Sequence, residues 1–187
     1  PQADAAAARL RWQRGLPRKR MSAACVLLHQ ADDARADDAR ADDARADDAR
    51  ADDEVKVLLV CPNYRPGWDL PGGVVEQDES PYAAARREVG EELGLDRAPG
   101  RLLALDWVSP SWERTEGITV VYDGGLITSA QAAGIRLPAE ELSDWAFVAA
   151  RRLAGFLEPR LARRVAAALA ARDEGQAIYL QDGHPVG

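Results

Sequence analysis

The stretch from Trp68 to Leu95, WDLPGGVVEQDESPYAAARREVGEELGL, constrains the fold of this chain more than any other. Ser80 and Pro81 are residues of a helix N-cap and first turn, and Gly94 is a helix stop, so a helix is predicted from about Pro81 to Leu93. Val89, Leu93 and Tyr82 project to one side of that helix and can anchor it to a sheet. The Gly72-Gly73 pair before it lets the backbone approach closely where a side chain would intrude.

The neighbouring side of the same helix gathers charge. Glu88, Glu91 and Glu92 stand at i, i+3 and i+4, which puts three carboxylates on one face. Such a cluster stays ionised near neutral pH only if cations compensate it. Carboxylate oxygens without His or Cys select a hard ion, Mg²⁺ or Mn²⁺, and such ions bind phosphate oxygens. Arg87 can hold a carboxylate through its planar fork, and Glu79 is a suitable partner. REVGEE alone would be read as a solvated helix face. The complete spacing, the glycine pair and the flanking strand decide for a site.

The segment resembles the signature of the Nudix hydrolases, G-x5-E-x7-R-E-U-x-E-E-x-G-U with U a bulky aliphatic. Gly73, Glu79, Arg87, Glu88, Val89, Glu91, Glu92, Gly94 and Leu95 fill it without departure. The resemblance extends to WDLPGG and to the strand order from about Ser22 to Ala150. It implies an α/β/α sandwich with a mixed sheet, and hydrolysis of a nucleoside diphosphate linked to another moiety by water attack at phosphorus. It also implies Mg²⁺ or Mn²⁺ held by Glu88, Glu91, Glu92 and the Gly72 carbonyl, with Glu79 and Arg87 as the orienting salt bridge. The family does not place the general base uniformly. Glu88 comes first because the signature fixes its position, and Glu113, Glu116, Glu140 and Glu141 are the other candidates. Outside the signature, substrate contacts are expected from Tyr64, Trp68, Trp112, Glu116 and Glu141, with Trp107 a further aromatic that could stack on a base.

The rest of the chain supplies the sheet. AACVLLH, EVKVLLVC, RLLALDWVS, GITVVYDGGLI and DWAFV read as strands, PRLARRVAAALAARDEG as an amphipathic helix ended by Gly175, and AIYLQDGHPV as a strand and turn. These elements lack a regular βαβ rhythm, which argues for an α+β arrangement with a mixed sheet between helices. One domain over residues 21–187 is expected, preceded by an extension over 1–20 with a short Ala-rich helix.

The first two strands read as hairpin arms, and between them ADDAR is repeated four times across residues 31–54. Ordinary hairpin loops are short, so this is an insertion. A five-residue period cannot align its alanines into a burying stripe on a helix, and a solvated tip is expected. The repeat holds ten Asp, one Glu and four Arg, which by themselves equal the chain's net charge of −7. The remainder is neutral, so the acidity describes the insertion and not the fold. An Asp-rich diphosphate motif is the weaker reading, because it needs long apolar helices.

Cys25 and Cys61 fit no metal spacing, and free thiols in a reducing cytoplasm are the default. No run approaches a membrane span. The expected partner is a small nucleotide diphosphate, with no nucleic acid and no membrane; a homodimer is left open. Two rivals remain: a nucleotide-binding regulatory module of the same fold without turnover, whose mark would be a degenerate signature, and an isoprenoid-diphosphate isomerase, which would need a cysteine and acid in a context neither cysteine offers.

Overall fold

A computed structural model describes residues 2–29, 55–112 and 114–186. The repeat expected as a solvated insertion and Glu113 lie outside the described residues. Five of the strands carry the architecture: β1 (Arg20–His29), β2 (Lys56–Pro62), β4 (Leu102–Val108), β5 (Gly117–Leu126) and β6 (Leu142–Ala149). With β7 (Ile178–Gln181) and β8 (His184–Pro185) they run in the order β6-β2-β1-β5-β4-β7-β8. The short β3 (Gly72–Val74) pairs with β1 off that path.

The sheet is mixed, as the irregular alternation of elements implies. β1 is parallel to β5, antiparallel to β2 through Leu28 and His29, and antiparallel to β3 through Ser22 to Ala24. Val26, Leu27 and Leu28 are all buried, because β1 is central and covered on both faces, which is why it reads as an unbroken apolar run.

Helices cover the two faces. On one side α2 (Pro81–Leu93) sets Ala84, Ala85, Val89 and Leu93 against Ala23, Cys25 and Leu27 of β1 and against Leu58 and Val60 of β2. On the other side α4 (Pro159–Asp173) sets Leu161, Val165 and Ala168 against Val26, Leu28, Leu59 and Leu103. The small alanines of α2 let it lie close on the sheet. Tyr82 is more exposed than expected and meets Tyr122 edge-on, with ring centroids 5.6 Å apart.

The helix ends follow their local chemistry. Ser80 Oγ accepts from the Ala83 amide at 3.1 Å, and Gly94, at φ 70°, donates its amide to the Gly90 carbonyl. Between β5 and β6 lies a short helix, α3 (Ser129–Ala133), started by a reciprocal capping box between Thr128 and Gln131. The T-x-x-Q spacing there was the available signal. The Ala-rich helix α1 (Gln2–Arg14) is present, and residues 5–20 are exposed throughout, so its described part adds nothing to the core.

Candidate active site

The carboxylate helix and the glycine pair meet across β1. Gly72 donates its amide to Glu92 Oε2 at 2.9 Å. A Cβ on Gly73 would stand 2.3 Å from Glu88 Oε1, and one on Gly72 would stand 2.3 Å from the Ala23 carbonyl oxygen. Gly72 therefore requires glycine, because the backbone of β1 occupies the space, whereas a side chain at Gly73 would displace the carboxylate of Glu88.

Arg87 ties the cluster together. Its Nε and Nη2 take the two oxygens of Glu79 at 3.0 and 3.1 Å, a fork-on-carboxylate geometry, while Nη2 also reaches the Val74 carbonyl at 3.2 Å. Its Nη1 lies 2.9 Å from Glu88 Oε1 and 2.8 Å from Glu91 Oε2. Hydrogen bonding to Arg87 holds Glu79 below the usual carboxylate range. Its three carboxylate partners, Glu79 first, keep the Arg87 guanidinium protonated even more firmly than usual.

Glu88 is only partly compensated by Arg87, and Glu92 has no cationic partner of its own among the described residues. Burial raises Glu88, against the pull of Arg87, and the charges of Glu91 and Glu141 add to the rise. Glu92 is 9% exposed, and burial pushes it up to about 8 although the Gly72 amide opposes the shift; Glu88, Asp69 and Glu141 push it further. A carboxyl in that position favours either a proton or a cation. Among the described residues, no three His, Cys, Asp or Glu side chains already converge as a ligand set. Glu88 and Glu91 lean on Arg87 while Glu92 turns to the Gly72 amide, so helical spacing gathers the carboxylates on one face without closing them on one point. The donors are oxygens alone, with a surplus of buried negative charge, and that chemistry fits a hard divalent cation.

The other candidates separate. Glu141 is exposed in the loop before β6, yet its charge is felt by both Glu88 and Glu92. Glu116 is held by Lys19 and by the Trp107 indole N–H at 3.2 Å. Trp68 is packed in the α4-side core, edge-on to Phe156 at 6.0 Å, and Tyr64 and Trp112 are exposed at 77% and 91%.

None of these aromatics lines the cavity of about 590 Å³ on the α4 side of the sheet. Its floor includes Ser22, Ala24, Thr119 and Val121, and Gly72 to Val74 form the wall it shares with the carboxylate helix. Arg20, Arg65, Arg114 and Arg160 also line it, and no motif in the sequence singled them out. They come from four separate segments.

Residues 49–171 match the family model described as NUDIX domain, well over half of the chain. The zebrafish (Danio rerio) protein named 8-oxo-dGDP phosphatase NUDT18 is 40% identical over 65 residues, which are 35% of this chain and 20% of that protein. The rat (Rattus norvegicus) diphosphoinositol polyphosphate phosphohydrolase 2 is 49% identical over 53 residues, 28% of this chain and 30% of that one. The chain thus matches less than a third of the length of either relative. A solved structure, the MutT protein from Methanosarcina mazei Go1, superposes with a TM-score of 0.58 at 22% identity, over 86% of this chain and 99% of the other. That likeness is one of fold.

Proposed function

The chain belongs to the Nudix family, and from that membership and the carboxylate helix we propose that it is a metal-dependent hydrolase of diphosphate linkages. Its substrate would be a nucleoside diphosphate joined to another moiety, a class to which the 8-oxo-dGDP of the zebrafish relative's name is close. Glu88, Glu91 and Glu92, with the Gly72 carbonyl, would hold Mg²⁺ or Mn²⁺. When bound, such an ion neutralises diphosphate charge and makes water more acidic.

The protein's own residues do the remaining work. Arg87, clamped by Glu79, fixes the orientation of Glu88 and Glu91. Glu88 takes the proton of the attacking water, and Glu141 is a second carboxylate whose charge reaches the same region. Gly73 keeps the space that Glu88 occupies, so the base stays beside the backbone wall of the substrate cavity. Much of the rate would come from positioning and from charge arranged in advance. The free thiols of Cys25 and Cys61 fit a reducing cytoplasm. Among the described residues no helix is long and apolar enough to cross a membrane.

The observation that carries this reading is Glu92, buried beside like charges with one amide as its hydrogen-bond donor. The test is a Mg²⁺-dependent hydrolysis screen over ADP-ribose, nucleotide sugars, dinucleoside polyphosphates and normal or oxidised nucleoside triphosphates, run beside Glu91→Gln. We expect product release by the wild type and loss of most turnover in the variant with the fold intact. Stoichiometric binding with no product, or a fully active Glu91→Gln, would overturn it.

A further inference from the structure

The cavity behind β3 has a composition unsuited to holding a flat base. Five arginines line it, at positions 20, 65, 114, 160 and 164, against the carboxylates of Asp69 and Glu158. Arg164 donates to Asp106 at 2.7 Å, and Arg65 pairs with Asp69. Arg160 is held more loosely. Its side chain is 17% exposed, and its ion pairs with Glu158 and Asp182 are long, at 3.9 and 3.8 Å.

The floor adds hydroxyls and no rings. Ser22 Oγ and Thr119 Oγ1 stand 2.9 Å apart on neighbouring strands. A nucleobase subsite would be built on stacking surfaces, yet Tyr64, Trp68, Trp107 and Trp112 are all absent from the lining. Guanidinium forks and hydroxyls recognise phosphate oxygens. At about 590 Å³ the cavity is large enough for a phosphorylated moiety and not only for a lone ion.

We propose that this cavity is a polyanion subsite, with Arg20 and Arg160 as specificity-determining residues, and that it selects substrates carrying at least one phosphate beyond the diphosphate that is cut. The inference rests on the hydrolase reading, since Gly72 and Gly73 form a wall common to the cavity and the carboxylate helix. A diphosphate lying at Glu88 and Glu92 would direct its attached group past that wall toward the arginines. The two halves of the site then divide the anion: carboxylates take it through a divalent cation, and arginines take it directly.

The experiment compares kcat/KM for phosphate-rich substrates, diadenosine pentaphosphate and a diphosphoinositol polyphosphate, with that for neutral-moiety substrates, ADP-ribose and UDP-glucose. The wild type should favour at least one phosphate-rich substrate by tenfold or more. In Arg160→Gln and Arg20→Gln the ratio should fall at least tenfold, chiefly through KM, with Arg160→Lys recovering part of it. A wild type that prefers neutral moieties, or variants that leave the ratio unchanged, overturns the proposal while the hydrolase reading stands. If no substrate is turned over, the hydrolase reading fails, and calorimetric titration of inorganic tripolyphosphate in EDTA decides the cavity alone. Binding weakened at least tenfold in the two glutamine variants supports it, and equal or absent binding in wild type and variants ends it.

Discussion

Two carboxylates are buried at opposite helix-sheet interfaces, and their surroundings differ. Asp106 on β4 is wholly inaccessible and receives both the Arg164 guanidinium at 2.7 Å and the Gly183 amide at 3.1 Å. Glu92 on α2 receives the Gly72 amide, and the charges around it are mainly like its own. The first arrangement is complete within the chain. It fastens the β7–β8 turn, where Asp182 and Gly183 have φ 51° and 78°, to β4 and α4. On the proposed reading, a divalent cation would complete the second. Burial of charge with a partner marks architecture, and burial of charge without one marks a place kept for something else.

The sharpest way to break this contrast is Glu92→Gln. The amide side chain can still accept from Gly72, so the melting temperature without metal should not fall. Mg²⁺-dependent kcat should drop by about a thousandfold, on the order of 4 kcal/mol of transition-state stabilisation. Asp106→Asn should do the reverse. It leaves the Arg164 charge buried and should lower unfolding free energy by about 3 kcal/mol in urea titration.

Gly73→Ala tests the geometry between these extremes. Its methyl would displace Glu88, and a loss of roughly tenfold in kcat is expected from misplacement alone. The smallest effect belongs to Asp182 on the turn. Burial raises its pKa, but the Ser109 hydrogen bonds and Arg160 outweigh this, so the folded value lies below the ordinary one. A depressed carboxyl stabilises the fold above its unfolded pKa of about 3.9 and loses that contribution as pH falls through the lower folded value. Melting curves should therefore show a wild-type advantage over Asp182→Asn at pH 6 that shrinks toward pH 2.

The two regions were also unequally legible in the sequence. Helix α2 could be bounded from Ser80, Pro81 and Gly94, and its glutamates placed on one face, because those are local properties of spacing and capping. Asp106 and Arg164 lie far apart in the chain and are joined only by packing α4 on the sheet. The arginine cavity is less local still. Arg20 opens β1, Arg65 and Arg114 are loop residues, and Arg160 begins α4; they converge because β1 lies between β3 and β5. β3 itself, at three residues, is too short to show any period. The aromatic residues were ambiguous for a related reason. Trp68 is of a type that can stack on a base, and only the fold shows it packed against the α4-side core.

The central claim is that Glu92 is buried to meet a divalent cation, and thermal melting of wild type and Glu92→Gln with and without Mg²⁺ or Mn²⁺ tests it most directly. A ligand that binds only the folded state raises stability by RT ln(1 + [L]/Kd), about 2.7 kcal/mol at a hundredfold excess over Kd. We expect the wild type to gain several degrees on saturation and the variant to gain little or nothing. Equal stabilisation of both proteins, or of neither, would contradict the claim.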